Sequence, residues 1–124
     1  MNVLLIHNSE LTFDVVERLF SENGMDASIV SAKMCDLAIE TAKCAAFDIL
    51  ICPVDDYPQD VAIDFLRRLD EAGSSAYRLA VVRKDMLKAM GSGFLNLIDD
   101  FLSSPADTEE LIFRIAKAAR GTHR

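Results

Sequence analysis

No apolar run in the sequence approaches the roughly 18 residues of a membrane-spanning helix. The opening segment MNVLLIHNSE carries no basic leader and no small-residue cleavage site, so neither a membrane anchor nor secretion is indicated and a cytoplasmic location is expected. Basic charge is scarce: 13 Lys and Arg face 20 Asp and Glu, for a formal net charge of −7. An acidic surface repels a phosphate backbone, which argues against direct nucleic-acid binding. The pairs Arg67–Arg68 and Arg83–Lys84 read as solvated faces. Cysteine is limited to Cys35, Cys44 and Cys52, an odd number with no zinc-knuckle spacing. Buried, reduced thiols are the expectation, with no metal and no other cofactor. Proline and glycine are sparse, at 3 and 5, so each one marks a boundary.

What remains is a chain that is 51% hydrophobic and 27% charged over 124 residues, the composition and size of one soluble domain spanning residues 1–124. Two kinds of segment alternate along it. Val3–Ile6 is a short apolar block, as a buried strand is. From Leu11 to Asn23 the residues Val15, Val16, Leu19 and Phe20 share a helical face, with Ser9 as a candidate N-cap and Asn23-Gly24 as a stop. Ser28–Ala32 reads as a strand and Met34–Ala46 as a helix. Phe47–Cys52 is the strongest strand; it ends at Pro53, which has no N–H to give a ladder. After the turn-rich Val54-Asp55-Asp56-Tyr57-Pro58, Gln59–Glu71 is a helix. Leu79–Val82 is a strand. Asp85–Leu97 reads as a helix interrupted by Gly91-Ser92-Gly93. Asp100–Ser103 is a last short strand, and Asp107 or Thr108 caps a final helix to about Arg120.

Five strands alternating with five helices, joined by short loops, predict a parallel sheet covered on both faces. With right-handed crossovers the expected architecture is a flavodoxin-like three-layer α/β sandwich with strand order 2-1-3-4-5. In such sheets ligand chemistry gathers at the carboxyl ends of the strands. Here that edge is built from His7-Asn8, Pro53 to Asp56, Arg83-Lys84 and Ser103-Ser104.

Several segments together resemble the receiver domain of two-component response regulators, the CheY-like superfamily. Val3-Leu4-Leu5-Ile6 is similar to its first strand, and Phe47-Asp48-Ile49-Leu50-Ile51 to the strand leading into the phosphorylated aspartate. Phe65-Leu66-Arg67-Arg68-Leu69 is similar to its third helix. Asp99-Asp100-Phe101-Leu102-Ser103-Ser104-Pro105, followed by Glu109-Glu110-Leu111, closely resembles the family's DDYLTKP…EEL segment. The resemblance covers nearly the whole chain. It implies a signalling module, standing alone or as the N-terminal part of a longer regulator.

The family's chemistry, as the resemblance implies it, needs a carboxylate nucleophile, an acidic pair that holds magnesium, a lysine and a hydroxyl. This sequence departs at each. His7 and Asn8 stand at the acidic pair, Pro53 at the phosphoacceptor, Ser104 at the lysine, and Val82 or Arg83 at the hydroxyl. The expectation is a non-enzymatic pseudo-receiver that signals without phosphorylation, by protein–protein contact. Two alternatives remain. Asp55 or Asp56 is a displaced acceptor, the competing reading being carboxylates in a local Asx-type turn. Or Arg83 and Lys84 form a small-anion site beside the amides of Ser103 and Ser104. A protein partner or a second copy is expected on the face of the fourth helix, fifth strand and fifth helix. Phe101, Met86 and Met90 are the candidate residues there. Phe101 stands at the family's aromatic switch and is expected to be locked in the core.

Overall fold

The computed structural model describes residues 1–121, apart from the side chain of Cys44; residues 122–124 lie outside the described residues. Ten elements alternate: β1 Asn2–Ile6, α1 Phe13–Glu22, β2 Ser28–Ala32, α2 Asp36–Cys44, β3 Ile49–Pro53, α3 Gln59–Glu71, β4 Tyr77–Val82, α4 Lys84–Leu95, β5 Asp100–Ser103 and α5 Thr108–Gly121. The five strands form one parallel sheet in the order β2-β1-β3-β4-β5. This is the predicted flavodoxin-like arrangement.

Alternation along the strands divides the core in two. Leu4, Ile6, Leu50, Cys52, Ala80 and Val82 face α2, α3 and α4, where Phe65, Leu66, Met90 and Phe94 meet them. Val3, Leu5, Ile49, Ile51, Leu79, Val81 and Leu102 face α1 and α5, where Val16, Phe20, Leu111 and Ile115 meet them. The continuous apolar run of β3 follows from burial on both sides, and every residue of β3 is buried, Pro53 included.

Element ends differ from the sequence reading for local reasons. Ser9 does not cap α1: Thr12 does, its Oγ1 accepting from Val15 N. Asn8 closes a turn before it, so the helix begins later. β3 starts at Ile49, two residues after the predicted Phe47, because Asp48 acts as a tie, its carboxylate accepting from Asn2 N at 2.7 Å. β4 starts two residues before the predicted Leu79. The early start places Arg78 in the sheet, with its guanidinium donating to Asp70, to the Leu97 carbonyl and to the Ser74 carbonyl. A buried guanidinium is tolerated because its donors are matched. The last helix is capped as predicted by Asp107, whose carboxylate accepts from Glu109 N and Glu110 N.

Two expectations about side chains are corrected. The cysteines are not uniformly buried: Cys52 is, but Cys35, just before α2, is exposed. Phe101 is not locked in the core. Odd and even residues of edge strand β5 point to opposite sides, and only Leu102 is sealed, at 2% exposure against 37% for Phe101.

The fully buried aromatic of this region is Phe94 on α4. Phe94→Ala is expected to destabilise the domain by about 3–5 kcal/mol, as large aromatic truncations do. Phe101→Ala is expected to cost no more than about 1–2 kcal/mol because much of the ring is already in water; denaturant melts of the two variants compare them. Burial pushes the Cys52 thiol up to about 12. The unfolded thiol ionises near its ordinary value of 9.0 while the folded one stays neutral. Its contribution to stability is therefore intact below about pH 9 and declines from there towards about pH 12. Melts across that range should show a steeper loss for the native chain than for Cys52→Ala.

Candidate functional site

The carboxyl ends of β1, β3, β4 and β5 meet at one edge, and main-chain bonds carry the sheet's register past the strand ends. His7 N donates to the Ala32 carbonyl, Val54 N to Val81 and Ser104 N to Val82, at 3.2, 3.0 and 3.0 Å. The predicted residues His7, Asn8, Pro53, Asp55, Asp56, Arg83 and Ser104 all lie on this edge.

Asn8, Asp55, Asp56 and Tyr57 each have a structural employment. The Asn8 carboxamide oxygen accepts from Glu10 N at 3.0 Å and Leu11 N at 2.7 Å, which turns the chain from β1 towards α1. The Asp55 carboxylate accepts the Arg83 N–H at 2.9 Å. That amide is the last before α4, so Asp55 fastens the loop after β3 to the loop after β4. The Asp56 carboxylate accepts both the N–H of Ser9, at 3.2 Å, and its hydroxyl, at 3.3 Å. It fastens the same β3–α3 loop to the β1–α1 loop. The Tyr57 hydroxyl donates to the His7 carbonyl and accepts from Met34 N, both at 3.4 Å. The β3–α3 loop is thus tied to every neighbouring loop on its edge but that of β5.

These bonds correct the reading of Asp55 and Asp56 as partners in a local Asx-type turn: they reach 28 and 47 residues away. Sequence spacing carried no signal for that, since both partners belong to loops brought near only by the sheet. Pro53, the last residue of β3, is buried and pairs with Val81 of β4. Among the described residues no group of three or more His, Cys, Asp and Glu is arranged to hold a metal ion. At the alternative anion site two groups already have partners. Ser104 N is engaged by the Val82 carbonyl, and the Arg83 side chain pairs with Asp85 at 3.4 Å. An entering anion would face the two carboxylates of Asp55 and Asp56.

On the face of α4, β5 and α5, the candidate contact residues separate. Met90 is buried in the core and Met86 is half-buried against it, so Met90 is removed from the contact surface. Phe101 is exposed, and so are two residues missed in the sequence, Leu95 and Phe113. Both sit at positions where the helical periodicity faces away from the core, a signal that the sequence did carry. Beside them Arg114 forms a two-pronged bond to Asp100, at 2.7 and 2.8 Å, and reaches Glu110 at 3.1 Å. The hydrogen bond to Asp100, then that to Glu110, holds its guanidinium above the ordinary value, and the pair fixes β5 to α5.

No family model matches the sequence, and no curated protein matches it. Solved structures do match in fold. One is a redox sensor of a streptococcal family that evolved from two-component response regulators, with TM-score 0.77 and 17% identity, covering 97% of this chain. The chain spans about half of that protein's length, 51%. A second is the receiver domain of the TMAO respiratory system response regulator TorR, with TM-score 0.74 and 17% identity, covering 98% of both chains. A third is a CheY-like response regulator receiver domain protein from Methanospirillum hungatei JF-1, with TM-score 0.78 and 13% identity, covering 98% of this chain and 95% of that one. At the edge where receivers carry their chemistry, this chain has its own carboxylates tied to its own loops; in architecture and strand order it has the fold of a response-regulator receiver domain.

Proposed function

We propose that the chain is a phosphorylation-independent receiver-type module that signals by protein contact and performs no catalysis of its own. The observation that carries this reading is the state of the two carboxylates that follow β3: Asp55 and Asp56 each hold a neighbouring loop through its main chain. A carboxylate that accepts an N–H has less electron density to offer a phosphorus centre, and its loss of that bond opposes attack. The residue at the end of β3, Pro53, carries no nucleophile. No acidic pair stands at the end of β1, where His7 and Asn8 lie, so a metal to shield the incoming phosphoryl charge lacks its carboxylate ligands. A location in the cytoplasm accords with this reading, and no helix among the described residues is long and apolar enough to cross a membrane.

The partner face of this reading is that of α4, β5 and α5, with Leu95, Phe101 and Phe113 as its apolar contacts. The occupant is a protein or a second copy of the chain. A receptor of this kind is governed by packing and by concentration, since no phosphoryl ligand biases one arrangement over another.

Incubation with magnesium and acetyl phosphate, followed by mass spectrometry, is expected to leave the chain unmodified. A stoichiometric adduct on Asp55 or Asp56 would overturn the reading in favour of a displaced acceptor. Pro53→Asp alone is expected to remain unlabelled, because the new carboxylate meets an anionic donor with neither magnesium nor a lysine beside it. The variant that also carries His7→Asp, Asn8→Asp and Ser104→Lys is the smallest change expected to gain labelling.

A further inference from the structure

Helix α4 is kinked at Gly91. Inside it Gly91 adopts φ 69° and ψ −164°, which is not a helical conformation. That region of backbone space is essentially reserved for glycine. On the far side of the break, Phe94 is fully buried and fixes the turn Ser92–Leu95 to the core. On the near side, Lys84–Met90 is held differently. Its leading amide, Arg83 N, is bound by the Asp55 carboxylate at 2.9 Å. Near its other end, the Ala89 carbonyl accepts from the Gln59 carboxamide Nε2 at 3.2 Å. Both tethers come from one short stretch, the β3–α3 loop and the first residue of α3. Apolar anchorage of this segment is modest: Met90, beside the break, is buried, whereas Met86 and Leu87 are only half-buried.

We propose that Lys84–Met90 is an arm hinged at Gly91, whose orientation is set by Asp55 and Gln59. The side chains that position it belong to the edge of the sheet, and the arm is the N-terminal part of α4, whose only half-exposed apolar side chains are Met86 and Leu87, while Leu95 lies beyond the hinge. Whatever displaces Asp55 or Gln59 therefore re-aims the arm while the Phe94 turn stays in place. The proposal stands on the backbone of Gly91 and the two tethers, and holds whether or not the chain accepts a phosphoryl group.

Residue-resolved hydrogen exchange on Gln59→Ala tests it. The amides of Leu87 to Met90 are expected to exchange about fivefold faster, the effect of losing one hydrogen bond of ordinary strength. Those of Asn96, Leu97 and the central strands are expected to be unchanged. Exchange that rises equally on both sides of Gly91, or on neither, would overturn the hinge. A second comparison needs no exchange data. An added Cβ meets nothing within 4 Å at either Gly91 or Gly93, and only Gly91 has a positive φ. Gly91→Ala is expected to lower the melting temperature and Gly93→Ala to leave it or raise it. If Gly91→Ala raises it, as the change does inside a continuous helix, α4 is one body and the proposal fails.

Discussion

The bond from the Arg83 N–H to the Asp55 carboxylate orders the edge of the sheet on which any receiver chemistry depends. A charge-assisted bond to a main-chain donor fixes a loop more firmly than a bond between two side chains, because only one rotamer-rich partner has to be ordered. Asp56 makes the equivalent bond to Ser9 on the other side of the same loop. With both in place, the β3–α3 loop is a strap across three strand ends. The strap also dictates where α4 starts, and Asp55 therefore acts beyond the loop in which it lies.

The opposite end of the sheet is fixed by a different device. Arg78, buried in β4, joins α3, through Asp70, and the α3–β4 connection, through Ser74, to the α4–β5 connection, through Leu97. Between the strap and this tie lies α4, anchored by Phe94 at its C-terminal part and by Asp55 and Gln59 at its N-terminal part. Beyond it, Arg114 and Asp100 lock β5 to α5. The exposed apolar side chains of this face, Leu95, Phe101 and Phe113, are thus presented by elements that are individually braced. A braced apolar surface suits recognition, since little ordering entropy is lost when a partner covers it.

Much of this architecture was legible in the sequence. The strand blocks Val3–Ile6 and Phe47–Cys52, the latter apolar after Asp48, stood out because burial on both faces removes polar residues from them. Helix α3 was placed at its observed bounds, Gln59–Glu71, because Pro58 and Gly73 bracket its apolar stripe. Failures have three causes: long-range pairing, a local side-chain turn and the coverage of an edge strand. Arg78 hid the start of β4 because a charged residue looks exposed until its three acceptors are known. Asn8 delayed α1 by closing a turn that no periodicity announces. Phe101 was misjudged because burial on an edge strand depends on which face the neighbouring helix covers. At the site, the departure of His7, Asn8, Pro53 and Ser104 from the residue types of the family that the sequence resembles was visible. What Asp55 and Asp56 do instead was not, because their partners are 28 and 47 residues away.

The most direct test is NMR detection of scalar coupling across the hydrogen bond from the Arg83 amide nitrogen to the Asp55 carboxylate carbon. A cross-peak is predicted in the free chain, and it should persist unchanged with magnesium and acetyl phosphate present. Absence of the coupling, together with an Arg83 amide exchanging at the rate of an open loop, would contradict the account, because Asp55 would then be free for other chemistry.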